Sequence, residues 1–425
     1  MDEVKQKKKI FYGWYLLAAC WLIVFFCQAF PNYGATVMNG FMAKEFKASR
    51  ESMGGMFSIY LMLGGAPGLI AGAWVAKMGS RALILSGAVA LIIGSVMMAF
   101  WANNVSDAFW GFGVFVGYAH FAGGFLGTQY ALAQWFHRRR ALAMSILYSA
   151  AGFGGFISPP LLNGAIEMAG GEWRVGWWVM IAAGFLTCLL AIAFLKDKPE
   201  EMGLHPDGDE NAKIIDAAAK DDHAFRTKDE WSLKETFSTW QYWALLFGFA
   251  APSMGFATYL AHGVLHLRDV GFSPAIAAGA ISITAMASLL SKLLVGALGD
   301  KYDPKYIWIL FLGIMGIGMF LFAGAKTQMD MVIAVSCLGS GFGGMLVCMV
   351  TVLPNYFGVK VFPVLSGFSL TLQGTLIAFV PTLVGQIYDR TGTYANSFHV
   401  ISGFCFIMAL VLIFVKRPRR KITQD

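Results

Sequence analysis

The sequence predicts an all-α integral membrane protein with twelve transmembrane helices in two six-helix halves related by pseudo-two-fold symmetry. Three observations carry that reading. Hydrophobic residues make up 57% of the 425 and charged residues only 13%, about half the charged share of a soluble domain, so lipid must solvate most of the surface. Apolar runs longer than about 18 residues, enough to cross a hydrocarbon core about 30 Å thick, recur from end to end. The runs fall six and six around one long polar stretch, and motifs of the first set return in the second.

Taken in order, the first half reads as spans 11–40, 52–76, 82–101, 108–136, 141–168 and 173–195. The first follows Lys5, Lys7, Lys8 and Lys9 and begins Tyr12-Gly13-Trp14. It is too long for a signal peptide and has no small-residue cleavage site, so it reads as a retained helix. Gln28 and Asn32 lie four apart on it, and Pro31 is expected to interrupt the helix just before Tyr33. The fourth span aligns Tyr118, Phe125 and Gln129, with His120 on an adjoining face, and the fifth clusters Ser145, Tyr148, Ser149 and Gly152.

The second half reads as 239–267, 274–299, 306–325, 329–356, 361–388 and 394–415. Tyr259, His262 and His266 share a face of the seventh span, and Ser366, Ser369 and Gln373 share one of the eleventh. Each polar stripe reads either as helix-to-helix glue or as part of a binding pocket. The stretch 196–238 is rich in Lys, Asp and Glu and contains Pro199, Pro206 and Gly208. It reads as a cytoplasmic linker with a short amphipathic helix around 231–237. The expected organisation is an N-terminal bundle over 1–195, the linker over 196–238, and a C-terminal bundle with a cytoplasmic tail over 239–425.

Charge sets the orientation. With both termini cytoplasmic, inside segments carry 24 Lys and Arg, outside loops carry seven, and Lys292 is left over; that bias is the positive-inside rule. The net charge of +7 is thereby explained by topology, and a nucleic-acid partner is not expected. All six cysteines fall inside apolar runs without metal-type spacing, so they read as packing residues, with no metal site and no cofactor. Short loops and no organelle signal point to a multi-pass protein of a prokaryotic inner membrane, working as a monomer in its lipid bilayer.

Lys292 stands eight residues before Asp300, hence about 12 Å along the eighth helix from its cytoplasmic end and close to the midplane. An ammonium there costs on the order of 2.5–3.5 kcal/mol on insertion scales. No Asp or Glu sits in the middle of any span to pair with it, so a substrate carboxylate is the natural counter-ion. Snorkelling is the competing reading. Thr284, Ser288 and Lys292 recur at four-residue spacing beside Ser291, a polar stripe that favours a substrate-facing lysine.

The halves also repeat. Gly72-Ala-Trp-Val-Ala76-Lys77-Met-Gly79-Ser-Arg81 matches Gly296-Ala-Leu-Gly-Asp300-Lys301-Tyr-Asp303-Pro-Lys305 at an offset of 224. Trp135-Phe136 and Pro160 match Tyr356-Phe357 and Pro381 at an offset of 221. Repeats of this kind build a transporter site at the midplane. In these loops Lys77, Arg81, Lys301 and Lys305 either bond helix C-terminal carbonyls and carboxylates as a conformational latch or simply enforce topology.

The pattern from Gly296 to Lys305 resembles the signature loop of the major facilitator superfamily. The segment from Gln134 to Gly152, with Arg139 in its basic run, is similar to the loop between the fourth and fifth spans of that superfamily's monocarboxylate and oxalate/formate branch. Tyr12-Gly13-Trp14 fits that branch too. The resemblance implies a secondary transporter of a small organic anion, most simply a monocarboxylate, working by anion exchange, uniport or proton symport. It also implies a substrate-pairing role for Lys292, where the branch usually has Arg, and leaves Gln373 where oxalate carriers have a second cation. Tyr33, Asn32, Tyr118, His120, Tyr148, Tyr259, His262, Ser288 and Ser369 are the expected pocket, and Asp300, Lys301, Lys305, Lys77, Arg81 and Arg139 the expected latch. Ala76 replaces the usual Asp, which confines a carboxylate latch to Asp300. Protons are a candidate coupling ion, with His120 and His262 as carriers because histidine titrates near neutrality.

An exporter of larger amphiphiles would suit the many Phe, Met and Trp residues. An intramembrane enzyme using His120, His262 or His266 as base would need a nucleophile–base–acid set that the spans do not supply, and a transporter-like sensor would need a signalling domain. For topology, cysteines placed at Asn104 and Gln328 are expected to react with an impermeant reagent from outside. Outside labelling at Asn211 would reverse the assignment.

Overall fold

The computed structural model describes residues 11–65, 68–136, 140–208, 227, 231–299, 302–358 and 361–418. Among them there is no strand. Helix α1 spans Tyr12–Glu45. Helix α2 begins as Arg50–Gly65 and resumes at Gly68. The long helix Gly68–Phe100 is broken at Gly79, whose φ of 76° and ψ of 163° suit glycine alone, and its remainder, 80–100, is α3. Then come α4 (Val105–Trp135), α5 (Leu142–Met168, preceded by a turn from Arg140) and α6 (Arg174–Phe194). After the linker follow α7 (Trp240–Asp269), α8 (Pro274–Gly299), α9 (Pro304–Ala323) and α10 (Gln328–Phe357). Helix α11 is made of Phe362–Ala378 and Val380–Thr391, and α12 is Ala395–Phe414.

Eleven helices among the described residues are long and apolar enough to cross a membrane; the expected second span includes 66–67, which lie outside them. The expected linker helix is present as Leu233–Phe237, with Ser232 and Glu235 closing a capping box.

Pro31 does not interrupt α1 before Tyr33. The chain instead forms a π-helical turn at Phe25–Ala29, then runs as α-helix from Phe30 through Tyr33 to Glu45, with Pro31 in the first turn of that segment. A proline ring crowds the carbonyl four residues back and offers it no N–H. Widening the turn just ahead of it relieves both problems without ending the helix. Helix α4 is irregular for a longer stretch, with π-helix over Phe109–Val116 and a break at Gly123 and Gly124.

Two apolar cores form, one per half. One is drawn from α7 to α12 with Ala29 and Tyr33 of α1; the other from α1 to α6 with Ala261 and Leu265 of α7 and Ala278 of α8. The exchanged residues mark where the halves touch, which is along α2 with α11, α5 with α8, and α1 with α7. Lipid gives helices no hydrophobic reason to associate, so close backbone approach and polar bonds must hold these contacts. At the α2–α11 crossing, a side chain on Gly54 would strike the Pro381 carbonyl, and one on Gly385 the backbone of Arg50 and Glu51. Exposed Leu293, Phe320, Leu410 and Val400 belong to the lipid-facing surface.

Gly385→Leu is therefore expected to force the two halves apart at this crossing and to lower stability by about 1–3 kcal/mol, the usual cost of overpacking. Gly403→Leu, where no atom lies within 4 Å of the added carbon, is expected to leave thermal unfolding in detergent nearly unchanged. Equal behaviour of the two variants would show that the crossing has slack.

Candidate functional site

The site is built from α8. Its Ser282, Ala285 and Leu289 face α5 of the other half: the Ser282 hydroxyl donates to the Phe156 carbonyl at 2.9 Å, and side chains on Gly155 and Gly152 would strike Ala285 and Leu289. Its Thr284, Ser288 and Ser291 face α10, where side chains on Gly339 and Gly343 would strike the carbonyls of Thr284 and Ser288. At 100° per residue, Lys292 falls between these two faces. It therefore leaves α8 at the seam between the halves. Lys292 is partly exposed, and among the described residues no hydrogen bond or carboxylate partners it.

Several expected pocket residues share the seam. Gly152 of α5 packs on Leu289, and one turn nearer the linker on these antiparallel helices stand Tyr148 and Lys292. Tyr148 is 44% exposed, and its hydroxyl accepts from Gln129 Nε2 at 3.0 Å. Tyr33 lays its ring against Gly155 and meets Phe256 edge-on at 6.4 Å. Asn32 is partly exposed beside it. Among the described residues, the buried Ser288 hydroxyl and Gln28 Oε1 have no hydrogen-bond partner.

The other expected residues have their polar groups engaged inside one half. Tyr118 shares a hydrogen bond with Ser86 of α3 at 2.8 Å, and His120 Nδ1 pairs with the Tyr60 hydroxyl of α2 at 2.7 Å. Thr284 donates to the Tyr259 hydroxyl at 2.9 Å. His262 Nε2 donates to the Pro381 carbonyl at 2.8 Å while Nδ1 pairs with the Tyr394 hydroxyl at 3.3 Å. Ser369 shares a bond with Tyr242, and Gln373 Nε2 donates to the Ser253 hydroxyl. These bonds tie α7 to α8, α11 and the start of α12.

The latch residues divide in the same way. Arg139, Asp300 and Lys301 lie outside the described residues, and Lys77 is exposed. Arg81 Nη2 donates to the Ile192 carbonyl at the end of α6, 2.9 Å away, and Lys305 Nζ to the Val415 carbonyl at the end of α12, 3.1 Å away. Cations at equivalent places in the repeat thus bond the last carbonyls of equivalent helices. The first half has a carboxylate here as well: Asp197 Oδ1 accepts from the Ser80 hydroxyl at 2.5 Å and the Arg81 amide at 2.9 Å, so it caps α3. In the second half Asp303 caps α9 through the Lys305 amide at 2.9 Å.

Sequence reasoning missed a polar seal between the halves on the far face, opposite the linker. Arg50 pairs with Asp269 at 2.7 Å. The Asp389 carboxylate accepts the amides of Arg50 and Glu51 at 2.9 and 2.8 Å, and Gln386 donates to Glu51 at 2.8 Å. Deeper in, Ser58 bonds Thr382 at 2.8 Å and Asn39 Nδ2 donates to the Ala261 carbonyl at 2.8 Å. The only signal was acidic residues at the span ends opposite the linker, which a count of Lys and Arg ignores. Among the described residues no group of three His, Cys, Asp or Glu is placed to hold a metal ion.

The profile of the Major Facilitator Superfamily matches residues 21–381 and 266–425. Monocarboxylate transporter 13 of Bos taurus is 25% identical over 407 residues, covering 92% of this chain and 88% of that protein. Among solved structures, a D-xylose-proton symporter aligns with a TM-score of 0.71 at 16% identity, over 96% of this chain and 98% of its own. A bacterial homologue of the human lysosomal transporter Spinster, in an inward-facing and occupied conformation, aligns with a TM-score of 0.64 at 17% identity, over 95% and 94%.

Asp197→Ala removes the acceptor of both the Ser80 and Arg81 bonds. It is expected to lower stability by about 0.5–2 kcal/mol, the usual effect of losing a helix cap, read as a lower melting temperature in detergent. An unchanged melting temperature would mean that the loop is held by other contacts.

Proposed function

The chain belongs to the Major Facilitator Superfamily and is a multi-pass membrane transporter, not an enzyme, and on that premise we propose that it moves a small monocarboxylate by alternating access. The observation that carries this reading is Lys292, which stands at the seam between the halves with no carboxylate partner among the described residues. A cation kept at that depth without a protein counter-ion is stabilised whenever an anion arrives. The relatives named as monocarboxylate transporters support the substrate class.

One cation suits one negative charge. The neutral Gln373, already donating to Ser253, brings no second charge for a dianion. Around the carboxylate, Tyr33, Tyr148 and Asn32 supply aromatic walls and polar groups at the same seam. Lysine pairs as a point charge without the two-pronged geometry of arginine, so selectivity among small carboxylates is loose.

The basic clusters support a cytoplasmic side for both termini and the linker, and the short loops support a prokaryotic inner membrane. The far face, where Arg50 meets Asp269 and Asp389, is then the outer one. A conformation sealed there gives access to Lys292 from inside. Exchange, uniport and proton symport are all compatible with a single lysine facing the anion.

Proteoliposomes given labelled lactate, formate, acetate or oxalate are expected to take up the monoanions in preference to oxalate. Lys292→Ala is expected to reduce uptake at least tenfold, since a hydrogen bond to a charged group contributes on the order of 1.5–3 kcal/mol. Lys292→Arg should keep part of it. The alanine variant still inserts, because the substitution removes a membrane cost. Undiminished uptake by Lys292→Ala would overturn the assignment.

A further inference from the structure

A cleft of about 480 Å³ lies on the far face where the halves meet, lined by Lys44, Arg50, Arg268, Asp269, Tyr388 and Asp389 among others. Its volume is in the range of small-molecule sites. Three cations face two carboxylates, so these groups sum to one positive charge. The carboxylates are already used: Asp269 pairs with Arg50 at 2.7 Å, and Asp389 accepts the Arg50 and Glu51 amides. Lys44 and Arg268 have no carboxylate bond among the described residues. Arg268 instead lies over the Phe41 ring at 4.8 Å, with Nη1 buried against Gly40 and, among the described residues, without a hydrogen-bond partner. A buried donor left unpaired calls for a partner.

We propose that this cleft is a receptor for one small carboxylate arriving at the far face, and that the bound carboxylate opens the seal by taking the place of Asp269 on Arg50. Asp269 offers Arg50 the chemistry a carboxylate substrate would offer. Replacing one by the other keeps the charge-assisted bond, neutralises the excess positive charge and gives the Arg268 guanidinium a counter-ion. Arg50 and Lys44 belong to one half, and Arg268, Asp269 and Asp389 to the other. Parting them without an anion strips Arg50 of its carboxylate, whereas parting them with one does not. The ligand therefore favours the open form by its differential affinity, and a neutral or cationic solute has no such effect. The choice of carboxylate rests on the function proposed above; the gating geometry does not.

The test reads access behind the seal. Gly55 lies on α2, five residues inward from Arg50, and a side chain there meets only the Thr382 hydroxyl, at 3.9 Å. In intact cells expressing Gly55→Cys, the rate of reaction with an impermeant maleimide is measured against acetate concentration. Acetate is expected to accelerate labelling roughly fivefold or more, the usual scale of coupling between a ligand and a conformational equilibrium. Added Arg268→Gln keeps the ion pair and should raise the acetate needed roughly tenfold, the scale of one lost charged hydrogen bond. Asp269→Asn and Arg50→Gln should each give fast labelling without acetate. An unaltered acetate response in Arg268→Gln overturns the receptor, and slow labelling in both Asp269→Asn and Arg50→Gln overturns the seal. Lys292→Ala should lose uptake yet keep the acetate response. If it loses that response while Arg268→Gln keeps it, acetate acts from the central seam and the cleft is not a receptor. Intact gating in a protein that transports no monocarboxylate would leave this proposal standing and sink the function proposed above.

Discussion

Hydrocarbon cannot hydrogen-bond, and the rest of the structure follows from that. Every backbone N–H and C=O within the spans must find a partner in the protein, which leaves helices as the building units. Irregular backbone is tolerated only against other protein. The π-turn at Phe25–Ala29 is largely buried, and the break at Gly123–Gly124 is buried as well. Its neighbour Gly87 would strike Gly123 with any side chain, and Gly123 packs on Cys27. These two distortions, on α1 and α4, therefore face protein and not lipid.

The same solvent decides how helices recognise one another. With no gain from hiding apolar groups, the contacts rely on glycines that let backbones approach and on single polar bonds. This explains why so many polar residues of the spans are engaged locally. His262, Tyr259, Ser369 and Gln373 each satisfy a hydrogen-bonding group within the second half. A polar group in lipid without such a bond is costly.

The halves are joined chiefly by the crossings of α2 with α11 and α5 with α8 and by polar bonds on the far face. Ion pairs at an exposed rim are individually weak, as the proposed opening of the far face requires. The equivalent bonds of Arg81 to Ile192 and Lys305 to Val415 lie within a half and need not break when the halves rock.

The sequence by itself determined the number and order of the spans, the linker with its short helix, the repeat and the isolation of Lys292. Hydropathy, charge and spacing are properties of short stretches of chain, and a lone ammonium in an apolar run is visible without any partner. Only the tertiary structure decided which members of each polar stripe face the seam. Four-residue spacing places Tyr259, His262 and His266 on one side of α7 but does not say what that side touches, and packing turned it toward α8, α11 and the start of α12. Nor could spacing show that Arg50 meets Asp269 and Asp389, since those partners lie over 200 and 300 residues away. Their meeting depends on how the two bundles dock, and that is set by the glycine surfaces at Gly54 and Gly385, which let the backbones of α2 and α11 approach.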